Sequence, residues 1–162
     1  MSVVVSDTSP LHYLILCGAE EILPKLFHKV VIPPAVFAEL QQSSTPPSVK
    51  QWADAPPDWI VVQSPNHLQT GLDVDRGEPE AISLVQEIHA VAVLMDDLAG
   101  RRAAVQCGLA VVGTLGLIEQ ASIRGLIDLP RVIGKLWQTN VRLDFKLIQA
   151  VLERHYARTK KA

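Results

Sequence analysis

An apolar run near the amino end of the chain stops abruptly at an acid. Residues 3–11 read VVVSDTSPL, so Asp7 follows three valines and a serine and precedes Thr8, Ser9 and Pro10. A short valine run is typical of a strand buried on both faces, and an acid at its carboxyl end points into the crevice where open α/β sheets bind ligands. The same residues could instead cap a helix, because Asp, Thr and Ser accept hydrogen bonds from free N–H groups and Pro suits the first turn. Since Thr8 or Ser9 is the better cap, the role of Asp7 depends on its partners.

Further strands and helices alternate along the chain. Apolar stretches at 29–32, 59–63, 91–95 and 109–113 predict strands. Helical spacing of apolar residues, with Gly and Pro at the ends, predicts the intervening helices at 9–17, 19–27, 35–42, 49–55, 77–90, 98–108, 114–121, 130–138 and 144–157, with a turn at 73–75 and Thr114 as a helix cap. This alternation predicts a mostly parallel sheet with helices on both faces.

The length of 162 residues suits one domain, which we assign to residues 1–150, with 151–162 as the basic end of a C-terminal helix and a tail. Cys17 and Cys107 stand in apolar settings without metal-ligand spacing, so we expect both to be reduced core residues of a cytoplasmic protein. We expect no secretory leader and no membrane segment, because no apolar run approaches the ~18 residues that a membrane helix needs.

Charge is distributed unevenly between the two parts of the chain. Residues 1–123 hold 14 acidic and 6 basic side chains, whereas residues 124–162 hold 3 acidic and 9 basic ones. Charged side chains on a solvent-exposed surface can be distributed this unevenly by chance. The alternative is an acidic part that holds cations beside a basic part that holds phosphates.

Acids recur where the predicted strands end and the predicted helices begin. The carboxyl ends of parallel strands lie on one edge of the sheet, so acids far apart in sequence can meet there. Clustered carboxylates repel unless a cation neutralises them, and Mg²⁺ or Mn²⁺ prefers such oxygen ligands. The acids concerned are Asp7, Asp96 and Asp97 after strands, and Glu39, Glu78 and Glu80 on helices.

Each acid also has a structural explanation. Glu78 and Glu80 lie where acids favour a helix amino terminus, and Asp97 could cap its helix. Glu39 is harder to explain in this way, because it follows Pro33-Pro34 by more than one turn and shares its side of the helix with apolar residues. Taken together, these positions favour a site.

The order of these segments resembles the PIN-domain nucleases, and in particular a prokaryotic branch related to the toxins of type II toxin–antitoxin pairs. The matching stretches are VVSDTSPL, VIPPAVFAEL, GEPEAISLV, VLMDDLAGRRAA and GTLGLIEQASIRGLI, which together extend over roughly residues 3 to 150. The resemblance implies a three-layer α/β/α fold with a central, mostly parallel sheet of about 4–5 strands.

The resemblance also implies which residues act. Carried over by position, the catalytic, metal-binding acids are Asp7, Glu39, Glu80 and Asp97, with Glu78 and Asp96 as alternates and Thr8 and Ser9 in support. Many toxin relatives carry Thr two residues before the last acid, where this chain has Met95. This departure is compatible with a weaker or altered activity.

The function implied is Mg²⁺- or Mn²⁺-dependent cleavage of single-stranded RNA by a toxin-like endoribonuclease. Arg101 and Arg102, one turn after Asp97, are candidates for phosphate contacts, although a solvated helix face explains them slightly better. Relatives of this class imply a small antitoxin partner and a homodimer, with residues 11–16 or the region of Trp137 at an interface unless they belong to the core.

Two other functions remain open at this point. One is a PIN-like binding protein with weak or no catalysis. The other is a haloacid-dehalogenase-like phosphatase, whose family pattern places a second acid two residues after the first. Ser9 occupies that position here, and Glu39 would then have no role.

Overall fold

A computed structural model describes residues 2–68 and 77–161 of the chain, with only the backbone at Gly77 and Glu78. Within these ranges five strands form one sheet, namely β1 (Val3–Ser6), β2 (Lys29–Ile32), β3 (Ile60–Val62), β4 (Ala92–Leu94) and β5 (Val111–Val112). The strand order is β3-β2-β1-β4-β5, and every pairing among the described strands is parallel. The prediction of a PIN-like α/β/α fold with a parallel sheet is therefore confirmed.

The described ranges also contain the helices. They are α1 (Thr8–Leu16), α2 (Ile22–Leu26), α3 (Pro34–Leu40), α4 (Pro47–Asp54), α5 (Gly77–Ile88), α6 (Leu98–Gln106), α7 (Thr114–Ile123), α8 (Leu129–Trp137) and α9 (Phe145–Thr159). No helix among them is long and apolar enough to cross a membrane.

Alternate residues of the central strands face opposite layers of helices. Val4 of β1 lies in the larger core, which includes side chains of α1, α7 and α8, whereas Val5 lies in a second core with α5 and α6. Both valines are fully buried. Because a strand between two helical layers needs apolar residues on both faces, a continuous valine run is what this position requires.

The central position of β1 creates a switch in chain direction across the sheet. The chain leaves β1 toward β2 and β3, and then returns to place β4 on the other side of β1. In open α/β sheets, ligands bind in the crevice beyond the carboxyl ends of the strands at such a switch point. That crevice lies here between the ends of β1 and β4.

The second helix is shorter than the prediction of residues 19–27. Gly18 adopts a φ of 64°, and the N–H of Ala19 donates to the carbonyl of Leu14. These contacts satisfy free carbonyls at the end of α1 in the manner of a glycine C-cap. Residue 19 therefore still belongs to the end of α1, and α2 begins at Ile22.

Within the basic C-terminal segment 151–162, helix rather than tail extends as far as Thr159 and includes Arg154 and Arg158. Both residues lie on α9, where Arg154 pairs with Glu119 of α7 at 2.7 Å. Ile148 and Val151 anchor the same helix in the larger core. The turn predicted at 73–75 lies outside the described residues, and the division at residue 150 stays a prediction.

Candidate active site

Asp7 lies directly after β1, at the switch point of the sheet. Its backbone N–H donates to the carbonyl of Leu94 at 2.9 Å, which extends the pairing of β1 with β4 to the start of the crevice. The side chain of Asp7 is only 8% exposed. A rigid, buried strand therefore fixes the position of this carboxyl group.

The N-cap of α1 is not one of the residues predicted from the sequence, Thr8 or Ser9. Asp7 is the N-cap residue of α1, with φ −77° and ψ 176°, while Thr8 and Ser9 are already helical. The Asp7 side chain nevertheless makes no capping hydrogen bond. The assignment of the cap to Thr8 or Ser9 is thus wrong, and the Asp7 carboxyl is not committed to the helix.

The surroundings of Asp7 oppose its negative charge. Burial is the main cause that raises the pKa of Asp7 from 3.8 to about 6, and the adjacent backbone N–H of Thr8 partly opposes this rise. The negative charges of Glu39, Asp96 and Asp97 raise the pKa of Asp7 further. These three acids therefore act on Asp7 from two different segments, α3 and the loop after β4, as expected for acids that meet at one edge of the sheet.

Glu39 is held in place by the helix that follows Asp7. The hydroxyl of Thr8 donates to Oε2 of Glu39 at 2.5 Å, and the hydroxyl of Thr45 donates to the Glu39 carbonyl at 2.8 Å. The side chain of Glu39 is only partly exposed. Thr8 thus orients a second carboxylate of the site, a role that its position beside Asp7 indicated without revealing the partner.

The two acids after β4 have different environments. Asp97 is the N-cap of α6 and accepts the N–H of Gly100 at 2.9 Å, so its structural explanation as a cap is correct. Asp96 accepts the N–H of Thr114 at 2.7 Å and the hydroxyl of Thr114 at 2.6 Å. Asp96 is therefore not a solvent-facing neighbour of Asp97 but the residue that ties β4 to α7.

The sequence pattern does not reveal this link between β4 and α7. It predicts Thr114 as the helix cap, whereas the N-cap residue is Gly113 and Thr114 is fully buried in the first turn. The signal in the sequence was the pair Gly113-Thr114 directly after the last strand. The residue that binds Thr114, Asp96, lies 18 residues earlier in the sequence, so local pattern does not reveal this contact.

Gly113 allows the close approach of two polar side chains. A Cβ atom at this position would lie 2.6 Å from Nη1 of Arg101 and 3.0 Å from Oδ1 of Asp96. The same Arg101 nitrogen donates to the carbonyl of Met95 at 3.0 Å. Arg101 thus supports the loop after β4, while Arg102 is exposed on α6.

Glu80 stands apart from this group. It lies in the first turns of α5, and its Oε2 atom is buried without a hydrogen-bond partner. It does not contribute to the pKa shift of Asp7, unlike Glu39, Asp96 and Asp97. The side chain of Glu78, the alternate to Glu80, lies outside the described residues.

The acidic side chains of the candidate site are of the chemical type that binds a divalent cation. In the described ranges, no three side chains of the His, Cys, Asp and Glu types lie close enough to hold a metal ion as they stand. All candidate donors are carboxylate oxygens, which Mg²⁺ and Mn²⁺ prefer, and the buried free oxygen of Glu80 lacks a neutralising partner. The donor set therefore fits these ions, although Asp96 and Asp97 already bind protein donors.

The carboxylates of this chain lie at the switch point of a parallel α/β sheet, where proteins of this fold class bind their ligands. A family model described as a PIN domain matches residues 3–156. The chain belongs to the PIN domain family.

One solved structure with a similar fold is a PilT N-terminus domain protein from the hyperthermophilic archaeon Sulfolobus solfataricus P2. It shares 17% sequence identity with this chain, covers 89% of this chain and 100% of its own, and superposes with a TM-score of 0.48. No curated protein matches the chain.

Proposed function

We propose that this protein is a Mg²⁺- or Mn²⁺-dependent endoribonuclease that hydrolyses phosphodiester bonds of single-stranded RNA. The observation that carries the proposal is the position of the Asp7 carboxyl at the switch point of a PIN fold, where its ionisation is opposed mainly by burial and further by Glu39, Asp96 and Asp97. An uncompensated acidic crevice is costly to ionise, so it favours a bound cation. Membership of the PIN family supplies the class of reaction.

The metal-ligating acids in this proposal are Asp7, Glu39, Glu80 and Asp97. Asp7 is the rigid ligand because β1 and the pairing to Leu94 fix its backbone. Glu39 is the oriented ligand because Thr8 fixes one of its oxygens. A divalent ion held here would activate a water molecule and stabilise negative charge on the phosphate being cleaved.

The residues around these acids would position the reaction. Asp96 holds α7 against the end of β4, so the wall of the crevice keeps its shape. Arg101 supports the backbone of Met95, and this contact assigns it a structural task beside any phosphate contact. Arg102 is the more accessible cation for RNA on α6.

A binding protein with little catalysis is the second candidate. Asp97 caps α6 and Asp96 is held by Thr114, so two carboxylates of the crevice already have protein partners. Carboxylate oxygens that accept hydrogen bonds from the protein are less available to a metal ion, so affinity for the ion would fall without a change in the fold. The phosphatase alternative receives no comparable support, because the position two residues after Asp7 is Ser9.

The partners of a toxin-like protein are also part of the proposal. Leu11, Leu14 and Ile15 are buried, which leaves little of segment 11–16 for an interface. Trp137 is 50% exposed and Phe145 is 64% exposed, so this region is the better candidate for an antitoxin or a second copy. The two free cysteines agree with a reducing, cytoplasmic location.

The decisive experiment compares wild-type protein with Asp7→Asn on a labelled single-stranded RNA with Mn²⁺ and with EDTA. We expect Mn²⁺-dependent cuts from the wild type and none from Asp7→Asn. If stoichiometric wild-type protein makes no cut that the variant lacks, the nuclease proposal fails. Retained RNA affinity in that case would support the binding protein.

A further inference from the structure

The segment between α8 and α9 carries an exposed cation, Arg142. The hydroxyl of Thr139 donates to the Leu136 carbonyl at 2.6 Å and accepts the N–H of Val141 at 3.2 Å. Val141 and Leu143 pack against the larger core, whereas Arg142 between them is exposed. The segment is therefore fastened on its inner side and presents Arg142 outward.

Tyr13 connects this segment to the crevice. It lies on α1, the helix that begins beside Asp7, and its hydroxyl donates to Oδ1 of Asn140 at 3.4 Å. Burial is the main cause that raises the pKa of Tyr13, while the charge of Asp96 raises it and the charge of Arg142 lowers it. The phenol is thus within electrostatic range of both the acidic crevice and Arg142.

A groove of about 740 Å³ continues from Asn140 along the end of α1. Its lining includes one cation and several uncharged polar groups, and no carboxylate is among the described residues that form it. We call it the α1 groove, with its principal residues Leu16, Ser48, Lys135, Gln138, Thr139 and Asn140. Asn140 belongs both to the groove and to the contact with Tyr13.

The charges of this surface favour a polyanion. Phosphates entering an acidic crevice are repelled, so an RNA strand needs cations outside it. Lys135 in the groove and Arg142, two residues after Asn140, supply two such cations. Hydroxyl and amide groups along the groove can bond to sugars and bases, and an aromatic ring such as Tyr13 can stack on a base.

We propose that the α1 groove binds the part of a single-stranded RNA that flanks the cleaved bond, with Lys135 and Arg142 on its phosphates and Tyr13 against a base. This inference rests on the proposed function, because the RNA assigned to the groove is the substrate of that proposed reaction. Lys135 and Arg142 both belong to the basic part of the chain after residue 123, whereas the acids of the crevice come before it.

The test measures binding of a short fluorescein-labelled single-stranded RNA by anisotropy in the Asp7→Asn background, which prevents cleavage. Lys135→Gln and Arg142→Gln should each weaken binding several-fold, and each should lower the slope of log affinity against log salt by about 0.7. Tyr13→Leu should weaken binding about tenfold, while Tyr13→Phe should retain most of it because the ring is kept.

Lys25→Gln is the matched control. Lys25 is exposed in the last turn of α2 and is not among the residues that line the α1 groove. This variant removes the same charge and should leave both affinity and salt slope unchanged. Circular dichroism and melting curves of all variants show whether any loss of binding follows from a loss of structure.

The two proposals fail in different ways. Unchanged affinity and salt slope in folded Lys135→Gln and Arg142→Gln would overturn the α1 groove as an RNA site, even if the wild type cuts RNA. Equal loss of RNA affinity in Lys25→Gln would also overturn it, because the loss would then follow from the net charge of the protein and not from the groove. Groove-dependent binding without any cleavage would support the groove and overturn the nuclease.

Discussion

The hydroxyl of Thr8 and the carboxylate of Glu39, separated by 31 residues in the sequence, are joined by a hydrogen bond of 2.5 Å. Thr8 is the first residue of α1, directly after Asp7, and Glu39 lies in the last turn of α3. The bond joins the two helices at the mouth of the crevice. It therefore couples the rigid strand end at Asp7 to the second acid of the proposed metal site.

Loss of the Thr8 hydroxyl should weaken the proposed metal site. Thr8→Val removes the donor to Glu39 and keeps the side-chain shape, so we expect Mn²⁺ affinity to fall about 10- to 100-fold. Thr8→Ser retains the hydroxyl and should bind Mn²⁺ nearly as the wild type does. Isothermal titration calorimetry measures both. Equal affinity of Thr8→Val and wild type would show that Glu39 does not need this orientation.

Asp7 should make the metal-free protein less stable as the pH rises. Its pKa is about 6 when folded, against 3.8 as the ordinary value, so between these values the folded state retains a proton that the unfolded state loses. The free energy of unfolding therefore falls through this window, and the burial cost at neutral pH reaches at most about 3 kcal/mol. Asp7→Asn should remove this dependence.

The measurement for Asp7 is urea unfolding at several pH values in EDTA. Asp7→Asn should gain stability over the wild type from about pH 4 to pH 7 and show little gain below that range. Asp58→Asn changes an exposed acid and serves as the control without this trend. Mn²⁺ should then stabilise the wild type more than Asp7→Asn, because the ion binds the folded state.

Replacement of Asp97 can separate its two roles. Asp97→Ser keeps a good N-cap for α6 but removes the carboxylate, so stability should change little while Mn²⁺-dependent cleavage is lost. Asp97→Ala should lose cleavage and also about 1 kcal/mol of stability, because the N–H of Gly100 loses its partner. Full cleavage by Asp97→Ser would remove Asp97 from the ligand set and leave Asp96 as the alternate.

Asp96 should contribute mainly to stability through Thr114. Asp96→Ala leaves the buried N–H and hydroxyl of Thr114 without their acceptors, at a cost of about 1 to 3 kcal/mol. Asp96→Asn retains one carbonyl oxygen and should lose less. Urea unfolding of both variants measures the difference. Equal losses would show that the charge of Asp96, and not its acceptor geometry, stabilises the link to α7.

Gly113→Ala should disturb the contact between Arg101 and Met95. The added Cβ would lie 2.6 Å from Nη1 of Arg101, so the guanidinium must move and lose its bond to the Met95 carbonyl. We expect a loss of about 1 to 2 kcal/mol in unfolding free energy. The loss should shrink in an Arg101→Ala background if this contact is its cause.

A glycine in open space provides the control for this substitution. Gly134 lies inside α8 with no atom within 4 Å of its hypothetical Cβ. Gly134→Ala should therefore stabilise the protein by up to about 1 kcal/mol through helix propensity. Similar effects of both substitutions would contradict the steric explanation at Gly113.

The sequence by itself determined the order of the elements and the segments that carry the acids. Strands of this chain are short valine-rich runs flanked by acids, Gly or Pro, and such runs are recognisable from neighbouring residues alone. The predicted strand at 29–32, for example, has the same bounds as β2. Local pattern also singled out Asp7 and Glu39, whose role as metal ligands stays a prediction. It failed at Ala19, because the C-cap of α1 depends on the conformation of Gly18.

Only the tertiary structure decided what each acid contacts. Asp96 and Asp97 are adjacent in sequence, yet one binds Thr114 of α7 and the other caps α6. Hydrogen bonds are directional and reach about 3 Å, so the choice depends on how β4, β5 and α7 meet in space. A sequence pattern fixes which face a residue occupies, but partners across the fold are set only when the sheet and its helices are packed.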